Sequence, residues 1–274
     1  MILFSIIALS VISGSVFVYL MDLMKNWYDF WMLPLAYAIF FVVFIICFVL
    51  FIIIYTSLIS MKKEARPSKF SCRFVKRICE LVVQIFKIRI HTRGKELLPE
   101  EKSLYVCNHI SNLDPLVAYW SYSCYDFSFI VKDSLLRVPF VKKVLHKDGH
   151  LALDRNNNRK GLEVILKSID IIKNDKRNIF VFPEGTRSKD GVLNELHSGT
   201  FKIAQKAKAP IVVSVIVNTN SVKRRWLFKQ TKVYLDVVKV LYYDDYKDMQ
   251  TNDLSDYVYN LMKERLDELE SLKY

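Results

Sequence analysis

Only five cysteines occur in the 274 residues, an odd number with no C-x-x-C pair among them. Their scarcity argues against a disulfide frame and against a zinc site. Cys47 falls inside an apolar run and Cys107 at the end of a predicted strand, so both read as small buried residues in a reducing compartment. Charge is missing over one long stretch, since Trp31 to Ile59 holds no Asp, Glu, Lys or Arg. Met1 to Met21 is likewise uncharged, and it lacks the basic n-region and A-x-A-like cleavage site of a signal peptide. Each run exceeds the roughly 18 apolar residues that mark a membrane helix. No internal repeat or low-complexity stretch occurs, and the length leaves room for one large domain plus an appendage.

What is present in excess is positive charge, a net +12 from 40 Lys and Arg against 28 Asp and Glu. Lys62, Lys63, Arg66, Lys69, Arg73, Lys76 and Arg77 follow the second apolar run, with Glu64 alone against them. The loop between the runs holds only Asp22, Lys25 and Asp29. This asymmetry predicts a multi-pass cell-membrane protein with residue 62 onward in the cytoplasm and residues 22 to 30 outside. A basic stretch beside the bilayer also attracts anionic headgroups. Nucleic acid is the usual rival partner for a basic chain, but no recognition-helix or aromatic RNA motif accompanies the charge.

Downstream, Phe74 to Phe86 has apolar residues at helical spacing (Val75, Ile78, Leu81, Val82, Ile85) and predicts an amphipathic helix on the membrane surface or over the domain. Strands are predicted at Phe86–Thr92, Leu104–Cys107, Gly149–Leu153, Asn178–Phe182, Ile211–Val217 and Lys232–Val240. Helices are predicted at Gly161–Lys173, Gly199–Lys208 and Asp253–Leu272. The alternation implies an α/β fold, a sheet with helices on its faces. The organisation expected is two hydrophobic membrane helices in 1–60, a basic amphipathic interfacial segment in 61–85 and a catalytic domain in 86–274.

Two short runs carry chemistry. Asn108-His109-Ile110-Ser111-Asn112-Leu113-Asp114 directly follows one predicted strand, and Phe182-Pro183-Glu184-Gly185-Thr186-Arg187-Ser188 directly follows another. A histidine and a carboxylate five residues apart can form a base and the group that orients it. Pro115 suggests that Asp114 caps a helix starting at Pro115, with His109 on the approach loop. Capping alone would be the plainer role for Asp114, but two carboxylate oxygens allow both. The second run offers a turn glycine, a hydroxyl and a guanidinium, which suit an anionic phosphate. Ligands gather beyond the carboxyl ends of strands in such sheets, so the two loops are expected to share one cleft.

In this order the two runs resemble blocks I and III of the glycerolipid acyltransferases, the 1-acylglycerol-3-phosphate acyltransferase (PlsC-like) family, over roughly residues 85 to 220. Gly149-His150-Leu151-Ala152-Leu153-Asp154-Arg155 resembles block II, Val131-Lys132-Asp133-Ser134-Leu135 a segment with a family lysine, and Ala209-Pro210-Ile211-Val212-Val213 block IV. Val213 stands where the family often has a second proline, and His197 where many members have lysine. The resemblance implies a mixed sheet flanked by helices, behind N-terminal membrane helices. It implies a metal-free O-acyltransferase with no cofactor, taking acyl-CoA or acyl-ACP as donor and lysophosphatidic acid as acceptor. His109 would be the general base and Asp114 its orienting partner. Lys132, Arg155 and Arg187 would hold the acceptor phosphate, helped by Gly185, Thr186 and nearby backbone N–H groups. Glu184 would bond the acceptor's hydroxyl or pair with Arg187, and Asn108 and Ser111 would support the loop or donate to the oxyanion. Glycerol 3-phosphate or another lysophospholipid is the alternative acceptor. A noncatalytic lipid-binding protein is the alternative of another class, against which an intact base and its partner speak.

Overall fold

The computed structural model describes residues 2–61, 67–122, 126–154, 157–175, 177–188, 192–224 and 230–271. The chain forms two units, Met1–Lys63 and Glu64–Tyr274.

The first unit is a pair of helices, α1 (Ile2–Leu20) and α2 (Met32–Ser57), joined through a 3-10 turn at Trp27–Trp31. Both are long and apolar enough to cross a membrane. Helical backbones satisfy their own polar groups, which is what an apolar surround demands. They pack closely where Gly14 meets Tyr37: a Cβ there would lie 2.7 Å from the Tyr37 ring. Ser15 Oγ and Tyr37 OH share a 3.0 Å hydrogen bond beside that contact. In the connection, the Asp29 carboxylate accepts from the backbone N–H groups of Lys25 and Asn26.

The second unit is a seven-stranded mixed sheet between helices. Its strands are β1 (Ile88–Arg93), β2 (Leu104–Cys107), β3 (Phe127–Lys132), β4 (Leu151–Leu153), β5 (Asn178–Val181), β6 (Ile211–Val217) and β7 (Thr231–Leu241). The spatial order is β1-β7-β6-β2-β5-β3-β4. Strands β6, β2, β5, β3 and β4 run parallel, β7 is antiparallel to β6, and β1 is parallel to β7. Strands β2, β5 and β6 have no exposed residue, because helices cover both faces. Alternate side chains divide between two cores. Leu104, Val106, Ile179, Val181, Ile211, Val213 and Val215 face one side, and Tyr105, Cys107, Phe180, Val212 and Ile216 the other.

The first core is closed by α6 (Asn158–Asp170), α7 (Lys202–Ala207) and α9 (Thr251–Ser271). From α9, Leu254, Val258, Met262 and Leu269 are fully buried, which stabilises the layer by about 1.5–3 kcal/mol per side chain. The second core is covered by α3 (Lys69–Ile85) and α4 (Asp114–Ser121), through Cys72, Val75, Cys79, Val83, Val117 and Ala118. Of the two expectations for the amphipathic helix α3, covering the domain is therefore observed for its apolar face. Ser68 starts it by accepting from Ser71 N at 3.1 Å. The remaining helices are α5 (Pro139–Lys147) and the short α8 (Tyr243–Tyr246). Strand β3 and helix α5 lie where the sequence pattern predicted neither. Lys62, Lys63 and Arg66 of the basic stretch lie outside the described residues.

Candidate active site

Because β6, β2 and β5 are adjacent and parallel, the loops after their carboxyl ends must meet at one edge of the sheet. The loop after β2 is tied down first. Asn108, buried at the end of β2, accepts from Ile216 N at 2.6 Å and donates to Ile216 O at 2.9 Å. These two bonds hold the start of the loop to β6. Ser111 is also buried, and its Oγ accepts from Leu113 N at 3.3 Å.

Asp114 does not cap the helix that it begins. Leu113 occupies the cap position of α4, without a side-chain cap bond, and Pro115 lies within the first turn. The Asp114 carboxylate turns upstream instead. Its Oδ2 accepts from Ile110 N at 2.6 Å, from Ser111 N at 2.7 Å and from His109 Nδ1 at 2.8 Å. Its Oδ1 accepts from the Thr219 hydroxyl. The group is fully buried, and the two backbone N–H groups on Oδ2 can only donate, so that oxygen is an acceptor. Nδ1 of His109 must then carry the ring proton, which leaves the Nε2 lone pair available to a reacting group. The Phe182 ring lies over the imidazole, centroids 4.5 Å apart and planes 23° apart, while the side chain keeps 15% exposure.

The loop after β5 is locked to the first. Glu184 is buried and accepts from His109 N through Oε1, and from Asn194 N at 2.9 Å and Asn194 Nδ2 at 2.8 Å through Oε2. Both oxygens are thus engaged, and no ion pair joins Glu184 to Arg187. Of the two roles expected for Glu184, pairing with Arg187 is not among its contacts, which instead tie the two loops together. Burial pushes its carboxyl pKa upward, while the Asn194 and His109 donors act the other way. Ser188 N donates to His109 O at 2.8 Å, a further tie between the loops. Gly185 takes a left-handed conformation, φ 69°, which glycine adopts without the Cβ penalty. Thr186 and Arg187 follow it exposed.

Lys132 ends β3 in register with Leu153 of β4, and it too is exposed at the strand-end edge. Arg155 lies outside the described residues. Below the site, burial and the carboxylates of Asp114 and Glu184 push the Cys107 thiol up, so it stays protonated. No group of three or more His, Cys, Asp or Glu able to hold a metal occurs among the described residues.

Two supporting residues were not predicted from sequence, Thr219 and Asn194. Asn218, left-handed at φ 72°, directly follows β6 and turns the chain so that Thr219 reaches Asp114. An asparagine directly after an apolar strand broken only by Ser214 was the available signal for that turn.

A family model described as Acyltransferase matches residues 89–217. The chain is 33% identical over 135 residues to the 1-acyl-sn-glycerol-3-phosphate acyltransferase of Borreliella burgdorferi, covering 49% of this chain and 53% of that protein. It is 34% identical over 132 residues to the Saccharomyces cerevisiae protein of the same name, covering 47% and 43%. A Haemophilus influenzae protein, also so named, is 27% identical over 169 residues, covering 62% and 70%. The chain thus spans about half the length of the first two relatives. Among solved structures, the 1-acyl-sn-glycerophosphate (LPA) acyltransferase PlsC from Thermotoga maritima matches with a TM-score of 0.63 at 23% identity. That likeness covers 80% of this chain and 87% of the other, and it shows a shared fold.

Proposed function

Because this chain belongs to the 1-acylglycerol-3-phosphate acyltransferase (PlsC-like) family of glycerolipid acyltransferases, we propose that it moves a fatty acyl group from a thioester to the free hydroxyl of 1-acylglycerol 3-phosphate. The product is phosphatidic acid. The observation that carries this reading is the His109 Nδ1 to Asp114 Oδ2 hydrogen bond, which sets the tautomer and leaves Nε2 as the base.

In the step proposed, Nε2 takes the acceptor's hydroxyl proton as its oxygen attacks the thioester carbonyl. The C–O bond forms, the C–S bond breaks, and the imidazolium returns the proton to the leaving thiolate. Asp114 stabilises the imidazolium between those events, as the carboxylate of a Ser-His-Asp triad does, with the substrate supplying the hydroxyl. No acyl-enzyme and no cofactor are required. Lys132, Arg155 and Arg187 would engage the acceptor phosphate, with Gly185, Thr186 and neighbouring N–H groups forming the turn around it. The donor is acyl-CoA or acyl-ACP. Helices α1 and α2 would hold the enzyme in the cell membrane as a multi-pass protein, with the catalytic domain in the cytoplasm and residues 61–85 lying against anionic lipids.

The direct test supplies labelled acyl-CoA and acyl-ACP with a panel of acceptors to membranes containing the protein. Phosphatidic acid formation from lysophosphatidic acid, strongly reduced with His109→Ala, is expected. A preference for glycerol 3-phosphate or a neutral monoacylglycerol would replace the acceptor, and no transfer to any acceptor would end the enzymatic reading.

A further inference from the structure

We propose that the surface formed by the 3-10 turn Asp133–Arg137 and helix α5 docks onto an anionic bilayer, as a second membrane contact separate from helices α1 and α2. The proposal begins with an apolar surface that the fold leaves uncovered. Leu135, Val138 and Phe140 are 41%, 40% and 51% exposed, and α5 contains no buried residue at all. Exposed apolar side chains gathered in one segment and rimmed by charge mark an interaction surface.

Charge complementarity selects the occupant. From Ser134 to Lys147 the segment carries Arg137, Lys142, Lys143 and Lys147 and no carboxylate. Asp133, exposed at the start of the turn, is the one carboxylate on this surface against those four cations, and Asp148 after it is fully buried. A short helix with apolar residues at its start and lysines beside them fits the boundary between headgroups and acyl chains. The lysines meet the phosphates while the apolar side chains pass beneath them. A nucleic acid or an acidic protein surface would satisfy the cations but not Val138 and Phe140.

Topology places this surface where docking has a use. Strand β3 ends at the site edge with Lys132, and β4 is parallel to it. The connection must therefore return to the opposite edge, and α5 makes that return. Its first residues, with Val138 before them, lie at the site edge, close in sequence to Lys132. Contact there would bring a lipid acceptor to the strand ends without its leaving the bilayer. This last point rests on the proposed function, whereas the docking does not.

Full-length protein in phosphatidylcholine vesicles, with and without phosphatidylglycerol, separates the two. An environment-sensitive fluorophore is attached at Phe140→Cys, with parent protein labelled in parallel to subtract the native cysteines. A label at Lys173→Cys, exposed near the opposite end of the sheet, is the reference. Nitroxides on lipid acyl chains should remove most of the emission at position 140 in anionic vesicles and little at 173, with high salt reversing the effect. Equal quenching at both sites, or none at 140, overturns the proposal. In a second arm, Val138→Glu with Phe140→Glu should raise the KM for vesicle-borne acceptor roughly 10-fold, with turnover of a short-chain soluble acceptor unchanged. Quenching at 140 without acyl transfer to any acceptor leaves the docking standing and removes the proposed function.

Discussion

Thr219 donates its hydroxyl hydrogen to Asp114 Oδ1 from 105 residues further along the chain, and Oδ2 of the same carboxylate holds His109. The imidazole is thus steered by a carboxylate that is itself steered from the turn after the neighbouring strand β6.

His109→Ala should lower turnover by the ~10²–10⁴-fold assigned to a positioned acid–base group, and Asp114→Asn should be nearly as harmful. Thr219→Val leaves a buried acceptor oxygen unmet, at a cost of about 1–3 kcal/mol. It should lower kcat with little change in KM, and Thr219→Ser should restore most of it. Steady-state kinetics on purified protein decide this. Normal kcat in Thr219→Val would show that the hydroxyl is dispensable.

Glu184→Gln tests the lock between the two loops. Glutamine can accept from only one oxygen, and its NH2 group would face the N–H donors of Asn194 or His109. The variant should lose both thermal stability and turnover, whereas a mere substrate contact would leave the melting temperature in place.

Arg187→Ala should raise the KM for lysophosphatidate roughly 10- to 100-fold, from about 1.5–3 kcal/mol per charge-assisted hydrogen bond, with the donor KM nearly unchanged. Arg187→Lys should recover only part, because an ammonium lacks the bidentate fork. Initial rates at varied donor and acceptor distinguish the outcomes; an effect confined to donor saturation would remove Arg187 from the phosphate site.

Asp148 gives a pH-dependent prediction away from the site. It is fully buried among Ser71, Tyr119, Lys147 and Arg177, and burial pushes its carboxyl from 3.8 to about 6. The folded state then holds a proton that the unfolded state has released, so this group's contribution to stability falls as pH rises from about 4 to about 6. His150 works oppositely, since burial and Arg177 lower it to about 3, and stability is lost as pH falls below its ordinary 6.5. The two slopes offset each other in the parent protein. The difference between Asp148→Asn and parent should isolate the first: the variant's thermal advantage should grow from pH 4 to pH 7, by up to about 3 kcal/mol at 1.36 kcal/mol per unit. A difference that does not change with pH would show that Asp148 is already ionised when folded.

Topology is tested by cysteine labelling in intact cells. A cysteine introduced at Asp22 should react with an impermeant reagent, and one introduced at Lys63 should not. The reverse pattern would put the catalytic domain outside.

Much of this architecture was legible where side chains face a single kind of environment. Leu104–Cys107 and Ile211–Val217 were predicted at their observed bounds, because a strand buried on both faces is a near-continuous apolar run, broken here only by Ser214. Phe127–Lys132 passes from buried to exposed along its length and so presents no clear period, and α5, though amphipathic, is a short helix of nine residues opened by Pro139. His109 and Asp114 were readable as a pair because five residues separate them. The true partners of Glu184 were not, since Asn194 lies in an irregular loop and His109 offers only its backbone. Thr219 is one hydroxyl among many until the strand order makes β6 the neighbour of β2.

The paired bonds between the Asn108 side chain and Ile216 do what one more rung of backbone ladder would do, past the point where β2 and β6 stop pairing at Cys107 and Ser214. His109 is thus the first residue beyond a rigid lattice, and its backbone inherits the timescale of the sheet interior. The amide hydrogen of Ile216 should then exchange with solvent only when the sheet itself opens. Substrates arriving at this edge would meet a base that is already in place, and the waiting step would be theirs.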